Sequence, residues 1–113
     1  MKTVTLSVES EKSVVESALK AFSGEQQGEH ISFTSLELLW KVLAPNRMAI
    51  VKVLTRSEPL ALREIARRLG RDVKAVHSDV QVLLKAGVLE KSTDGKIVFG
   101  YDAIHVDFML EAA

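Results

Sequence analysis

The chain has 113 residues, of which 47% are hydrophobic and 27% charged, with a formal net charge of +0. This composition is typical of a single globular domain with a real core. The absence of cysteine excludes a disulfide framework, thiolate metal ligands and thiol redox sensing, and it is compatible with the cytoplasm. Because no apolar run approaches membrane-spanning length and the N-terminus lacks a signal-peptide core, we predict a compact cytoplasmic domain without membrane association.

The first third of the chain predicts a strand, a helix and a second strand. Residues 3–8 alternate between apolar and hydroxyl side chains, which is the period of a half-buried strand. A helix is predicted next, capped by Ser10, with apolar residues at helical spacing: Val14, Val15, Ala18, Leu19 and Phe22. Residues 23–30 are polar with two glycines and predict a loop, and residues 31–34 predict a second short strand. Residues 1–34 thus form a strand–helix–strand extension.

Two helices are predicted between residues 35 and 54. Ser35 can cap the first, whose apolar side chains reach nearly all round, so this helix should be buried with Trp40 in the core. Pro45 should end it, because the residue before a proline avoids helical geometry. Asn46 is predicted to cap the second helix, whose inward stripe is Ile50, Val51, Val53 and Leu54.

Two further helices should meet at Gly70. A helical stripe of Ile65, Ala66 and Leu69 precedes this glycine, which stands where a C-cap requires a left-handed residue. Asp72 is predicted to cap the next helix, residues 73–86, which ends at Gly87. The predicted core stripe of that helix is Val73, Val76, Val80, Leu83 and Leu84.

The chain then changes to the period of strands. Two β-rich runs flank Asp94–Gly95, which is a strong hairpin signal, and we assign this hairpin to residues 89–99. Residues 104–110 alternate, with His105 and Asp107 on the polar side, and predict a C-terminal strand. The predicted fold class is α+β: a winged helix-turn-helix domain (residues 35–113) with the N-terminal strand–helix–strand extension (residues 1–34) and a C-terminal strand.

A helix, a tight turn, a second helix and a hairpin in this order indicate DNA binding. The major groove of B-DNA admits one α-helix, and the preceding helix can brace it on the backbone. Residues 63–85 carry six cations and three anions, a net charge of +3, whereas residues 1–44 carry a net charge of −2. A neutral chain with its positive charge concentrated in this way can still hold a phosphate-binding footprint.

The candidate DNA-binding residues fall into three groups. Lys74, Ser78 and Gln81 are candidates for base edges, because Gln can pair with adenine and Lys can reach guanine acceptors. Ala75 shares their outward face. Arg67, Arg68, Arg71 and Lys85 are candidates for phosphate contacts, which position a protein without reading sequence. Lys91 and Lys96 are the cations of the predicted wing.

The segment from Leu60 to Phe108 resembles a known group of proteins. Its pattern is "LGRDVKAVHSDVQVLLKAGVLE", a glycine-bearing wing and then "YDAIHVDF". It is similar to small prokaryotic winged helix-turn-helix proteins described as DNA-binding proteins or predicted transcriptional regulators, and more distantly to the arsenical-resistance and multiple-antibiotic-resistance repressor families. The resemblance implies the fold of a transcription regulator. One departure is Ser78, where relatives tend to be basic.

The sequence gives little support to two specific chemical roles, an acid–base pair and a metal site. His77 and Asp79 are two residues apart on a helix and point about 200° apart, so they cannot form an acid–base pair unaided. His30, His105 and Asp107 could form a metal site, but a solvated sheet face is the simpler interpretation. We therefore predict no enzyme activity, no catalytic residue, no metal and no cofactor.

Two functional classes remain. The first is a sequence-specific transcriptional regulator, most simply a repressor, with helix 73–86 in the major groove of double-stranded DNA and residues 89–99 as its wing. The alternative is an antitoxin-like or other protein-interaction module on the same scaffold, whose partner could be a toxin-like protein, since fold does not fix function.

A homodimer is also predicted. One recognition helix with few cations covers too little DNA for selectivity, and regulators of this type commonly pair over half-sites about 34 Å apart. The three predicted strands, 3–8, 31–34 and 104–110, need partners. We expect them to form a small mixed sheet that carries the dimer contact, with Val15, Leu19 and Phe22 nearby.

Overall fold

The computed structural model describes residues 2–8 and 29–109, which form a small α+β domain. The helices in these residues are α1 (Leu36–Val42), α2 (Pro45–Leu54), α3 (Leu62–Leu69) and α4 (Val73–Lys85). The strands are β1 (Thr3–Val8), β2 (His30–Phe33), β3 (Glu90–Lys91), β4 (Ile97–Val98) and β5 (Ala103–Asp107). The helix predicted from Ser10, with Val15, Leu19 and Phe22, lies outside the described residues, as do the loop through residue 28 and Leu110.

The three predicted strands share one sheet, in the order β2-β1-β5. Thr5 of β1 lies in register with His30 of β2 on one side and with His105 of β5 on the other, and both pairings are parallel. The expectation of a mixed sheet is therefore wrong. Alternating hydrophobicity identifies a strand but not its direction, which depends on the path of the connections. Parallel strands need connections of a dozen or more residues, and the chain is long enough between β1 and β2 and between β2 and β5.

One hydrophobic cluster joins the sheet to the helices. Val4 and Leu6 of β1 are fully buried, as is Leu39 of α1. They share the cluster with residues of the other three helices and of β4, among them Ile50, Ile65, Val76, Leu83 and Ile97. The sheet thus packs on α1 and shares one hydrophobic cluster with the helices that carry the candidate site.

Helix α1 is capped as the sequence predicts but is less buried. The Leu38 backbone N–H donates to the Ser35 Oγ at 3.1 Å, which confirms the cap. Only Leu39 and Val42 of this helix are buried, and the Trp40 side chain is 45% exposed. The prediction of a wholly buried helix with Trp40 in the core is wrong, because the core lies along one side of α1 and leaves the opposite side at the surface.

Helix α2 begins two residues earlier than predicted. Its N-cap is Ala44, and Pro45 occupies the first helical position, so the predicted cap at Asn46 is wrong. Proline suits this position because its fixed φ is already helical and its missing N–H would have no helical partner there. The prediction that α1 ends before Pro45 is confirmed.

Candidate nucleic-acid interface

A left-handed turn at Gly70 joins α3 to α4. Gly70 has a φ of 63°, and its N–H donates to the Arg67 carbonyl at 3.2 Å. The Arg71 N–H donates to the Ala66 carbonyl at 3.0 Å, which completes the hydrogen-bond pattern of a glycine-terminated helix. The predicted role of Gly70 is confirmed. Asp72 occupies the predicted N-cap position of α4, but its side chain makes no capping hydrogen bond.

Helix α4 buries one stripe and exposes the opposite face. Val76, Val80 and Leu83 are buried as predicted. Val73, also predicted in the core, is 40% exposed because it lies in the first turn, at the edge of the packed region. Of the candidate DNA-binding residues on α4, Gln81 is half-buried. The other four are exposed: Lys74, Ala75, Ser78 and Lys85.

The exposed face of α4 holds one further residue that the sequence suggested only as a partner for Asp79. His77 is exposed, and its Nε2 lies 3.4 Å from the Gln81 Nε2. Ser78 donates its hydroxyl to the Lys74 carbonyl at 3.2 Å. The spacing of four residues between His77 and Gln81 is the signal that could have identified the pair. Hydrogen-bonding side chains therefore form a continuous face at 74, 77, 78 and 81.

The two arginines at the end of α3 share one carboxylate. The Arg67 Nε donates to Glu64 Oε2 at 3.0 Å, and the Arg68 Nε donates to Glu64 Oε1 at 3.0 Å. Hydrogen bonds from Arg67 and Arg68 lower the pKa of Glu64 to about 2, and the same carboxylate raises the pKa of Arg67. Both arginine side chains remain at the surface, 71% and 40% exposed, so phosphate could compete for them with Glu64.

Arg71 is engaged inside the domain. Its Nη2 lies 2.9 Å from Asp79 Oδ2, and the Nε of Arg47 on α2 lies 3.1 Å from Asp79 Oδ1. The side chains of these three residues, the Asp79 ion cluster, are only 15–24% exposed. Arg47 also donates to the Lys41 carbonyl, and the Arg71 Nη1 is buried without a hydrogen-bond partner in the described part of the chain. The cluster ties the turn and α4 to α2, and sequence reasoning did not identify Arg47 as part of it.

The hairpin follows α4 and is joined to the start of α3. Strands β3 and β4 are antiparallel, and the Gly95 N–H donates to the Ser92 carbonyl at 2.9 Å with Gly95 at a φ of 81°. The predicted hairpin is confirmed. Leu60 and Ile97 exchange backbone hydrogen bonds of 3.1 and 2.8 Å, which fix β4 beside the segment before α3.

The cations of the hairpin remain accessible. Lys91 and Lys96 are both exposed. The Lys96 Nζ is 3.9 Å from a carboxylate oxygen of Asp94, an exposed pair that stabilises little. Ser92 donates its hydroxyl to Asp94, which lowers the pKa of that carboxyl. Both lysines could therefore contact a polyanion.

Three of the residues considered for catalysis or metal binding, His77, Asp79 and His30, have other partners. His77 contacts Gln81, whereas Asp79 contacts the two arginines, so the pair does not meet. His30 and His105 lie on either side of Thr5, and the His30 Nε2 is 2.6 Å from the Ser7 Oγ. Within residues 2–8 and 29–109 there is no group of three His, Cys, Asp or Glu side chains placed to hold a metal. In the same residues, no helix combines the length and apolarity needed to cross a bilayer.

Comparison with known proteins identifies a family that matches this chain. The model of a family described as HVO_A0114 matches residues 42–106, from the end of α1 into β5. The match covers more than half of the chain and includes the helix pair, the turn and the hairpin. No curated protein and no solved structure matches this chain.

Proposed function

The chain belongs to the HVO_A0114 family, and we propose that it is a sequence-specific DNA-binding transcriptional regulator, acting as a repressor, with a winged helix-turn-helix fold. In this proposal α4 enters the major groove, α3 crosses the backbone and residues 89–99 form the wing. The observation that carries the proposal is the left-handed turn at Gly70 between two packed helices, followed at once by a hairpin fixed beside α3 through Leu60 and Ile97.

The exposed face of α4 supplies the base contacts in this proposal. Lys74, Ser78 and Gln81 project from the side opposite the buried stripe, and His77 stands beside Gln81. Amide, ammonium and imidazole groups can all hydrogen-bond to base edges in the major groove. This face has a single cation in its first two turns, Lys74, so recognition depends on hydrogen bonds more than on charge.

Phosphate contacts come from the surrounding cations. Arg67, Arg68 and Lys85 flank the face from α3 and the end of α4, and Lys91 and Lys96 extend it along the wing. Arg71 takes a different role, because its guanidinium is held by Asp79. Arg71 positions α4 against α2, and the more exposed cations nearby contact the DNA phosphates.

The proposed function also requires a homodimer that binds two half-sites of DNA. A single helix and wing contact only a short stretch of duplex, and regulators of this architecture gain selectivity by pairing over two half-sites. We include a homodimer in the proposed function for this reason.

The test is selection of bound fragments from random and genomic DNA at two salt concentrations. Wild-type protein should enrich a sequence motif, and the double variant Lys74→Glu, Lys85→Glu should lose that enrichment. The variant Lys41→Glu, Lys52→Glu carries the same charge change on α1 and α2 and is the matched control. Arg71→Glu is unsuitable because it would place a second carboxylate beside Asp79. Absence of any enriched motif with wild-type protein would contradict the proposal.

One observation favours a second candidate, an antitoxin-like or other protein-interaction module. Three large apolar side chains lie together at the surface: the exposed fraction is 45% for Trp40, 41% for Phe108 and 79% for Met109. The rings of Trp40 and Phe108 pack edge to face with their centroids 5.3 Å apart, and Met109 follows Phe108 in the chain. Exposed apolar patches mark interaction sites. Stoichiometric capture of one protein partner with no retention of DNA would favour this function over the first.

A further inference from the structure

We infer that β5 pairs antiparallel with β5 of a second copy of this chain, about a twofold axis at Val106. In the described residues β5 has one neighbour, β1, and forms an edge of the sheet. His105, Asp107 and Phe108 are exposed along this edge. Open sheet edges are templates for pairing with another chain. The inference rests on the proposed pairing of two copies but not on their binding to DNA.

The sequence of β5 is complementary to itself when it is reversed about Val106. In the antiparallel register that places Val106 opposite the partner's Val106, His105 lies opposite the partner's Asp107. Where the pairing continues one residue past β5, Ile104 lies opposite the partner's Phe108. Opposite charges and apolar pairs directly across antiparallel strands both stabilise the pairing, and the twofold axis produces each contact twice.

The neighbouring registers lack this complementarity. A shift of one residue places apolar side chains of one copy opposite polar side chains of the other, on the wrong face of the sheet. A twofold axis at His105 places this residue opposite itself and leaves Asp107 opposite Ala103. An axis at Asp107 brings two carboxylates directly together, which is destabilising. The charges and the apolar alternation therefore select the axis at Val106.

The resulting dimer also covers apolar surface. Phe108 is 41% exposed and packs edge to face on Trp40, which is 45% exposed. In the inferred register Ile104 of the second copy reaches this pair. The two sheets become one continuous sheet of six strands in the order β2-β1-β5-β5-β1-β2, and the two exposed β5 edges are removed.

Disulfide trapping tests the register directly, because the chain has no cysteine of its own. Directly opposed residues in antiparallel strands have Cα atoms about 4.5–5.5 Å apart, within the range that a disulfide spans. The full-length variant Val106→Cys should therefore form a cross-linked dimer on oxidation in the absence of DNA, whereas His105→Cys should cross-link far less. Failure of Val106→Cys to cross-link, or equal or better cross-linking of His105→Cys, overturns the inference.

Charge exchange provides a second test that does not depend on oxidation. Asp107→Lys should raise the dimer dissociation constant about tenfold or more in sedimentation equilibrium, because both charge contacts become repulsive or are lost. The double variant His105→Asp, Asp107→Lys reverses each contact and should return the constant to within about threefold of wild type. A double variant as weak as Asp107→Lys, or a monomeric wild-type chain, overturns the interface. A dimer that retains no DNA would instead overturn only the proposed function.

Discussion

Replacing Asp79 with alanine should destabilise the domain more than any exposed charge change. The carboxylate accepts from Arg71 at 2.9 Å and from Arg47 at 3.1 Å, and without it two partly buried guanidinium groups face each other. Breaking a fully buried pair costs about 3–5 kcal/mol, and breaking an exposed one about 0–1 kcal/mol. Since these side chains are 15–24% exposed, we expect about 2–3 kcal/mol. In urea this corresponds to a midpoint lower by about 1–2 M.

Urea unfolding followed by circular dichroism measures this cost, with Glu58→Ala, an exposed carboxylate in a loop, as the control. A double-mutant cycle between Asp79→Ala and Arg47→Ala separates the pair energy from the cost of each side chain. A midpoint shift for Asp79→Ala no larger than that of the control, or additive effects of the two substitutions, would contradict this expectation. Such a result would mean that the cluster does not join α4 to α2.

Three other outcomes are expected. Glu64→Gln should strengthen non-specific DNA binding and steepen its salt dependence by about one unit of slope, because Arg67 and Arg68 lose their shared carboxylate. Fluorescence anisotropy titrations measure the dissociation constant, and an unchanged value would mean that neither arginine contacts phosphate. The double change of Lys91 and Lys96 to Ala should weaken binding to selected and scrambled DNA alike, and loss of preference without loss of affinity would show that the wing reads bases. Gly70→Ala should cost about 1–2 kcal/mol in thermal unfolding, because its φ is 63°; an unchanged melting temperature would contradict a left-handed turn there.

Local sequence signals were sufficient for the helix pair and the hairpin. A glycine at the end of an apolar stripe identified the turn at Gly70, and Asp94–Gly95 identified the hairpin, because both conformations depend on positive φ at one residue. The period of the apolar residues in α4 identified Val76, Val80 and Leu83 as buried. Each of these features is determined within a few residues of chain.

Features that depend on distant contacts were not predictable in the same way. The exposure of Trp40 depends on how far the core extends around α1, and the direction of β5 depends on the path of the chain around the helices. Arg47 and Asp79 are 32 residues apart, and only the packing of α2 against α4 brings them together. For the same reason, the sequence alone suggests that Arg71 is a surface cation, whereas in the structure its guanidinium is bound by Asp79.

In the proposed function, the exposed face of α4 reads DNA sequence. The most direct measurement is the dissociation constant of wild type and of Lys74→Ala for the selected site and for each single-base-pair variant of that site, at one fixed salt concentration. Wild type should discriminate at several positions, and Lys74→Ala should lose about 1–3 kcal/mol of discrimination at one position, with the other positions unchanged. Equal affinity of wild type for all the variants, or a preference that Lys74→Ala leaves intact at every position, would contradict it.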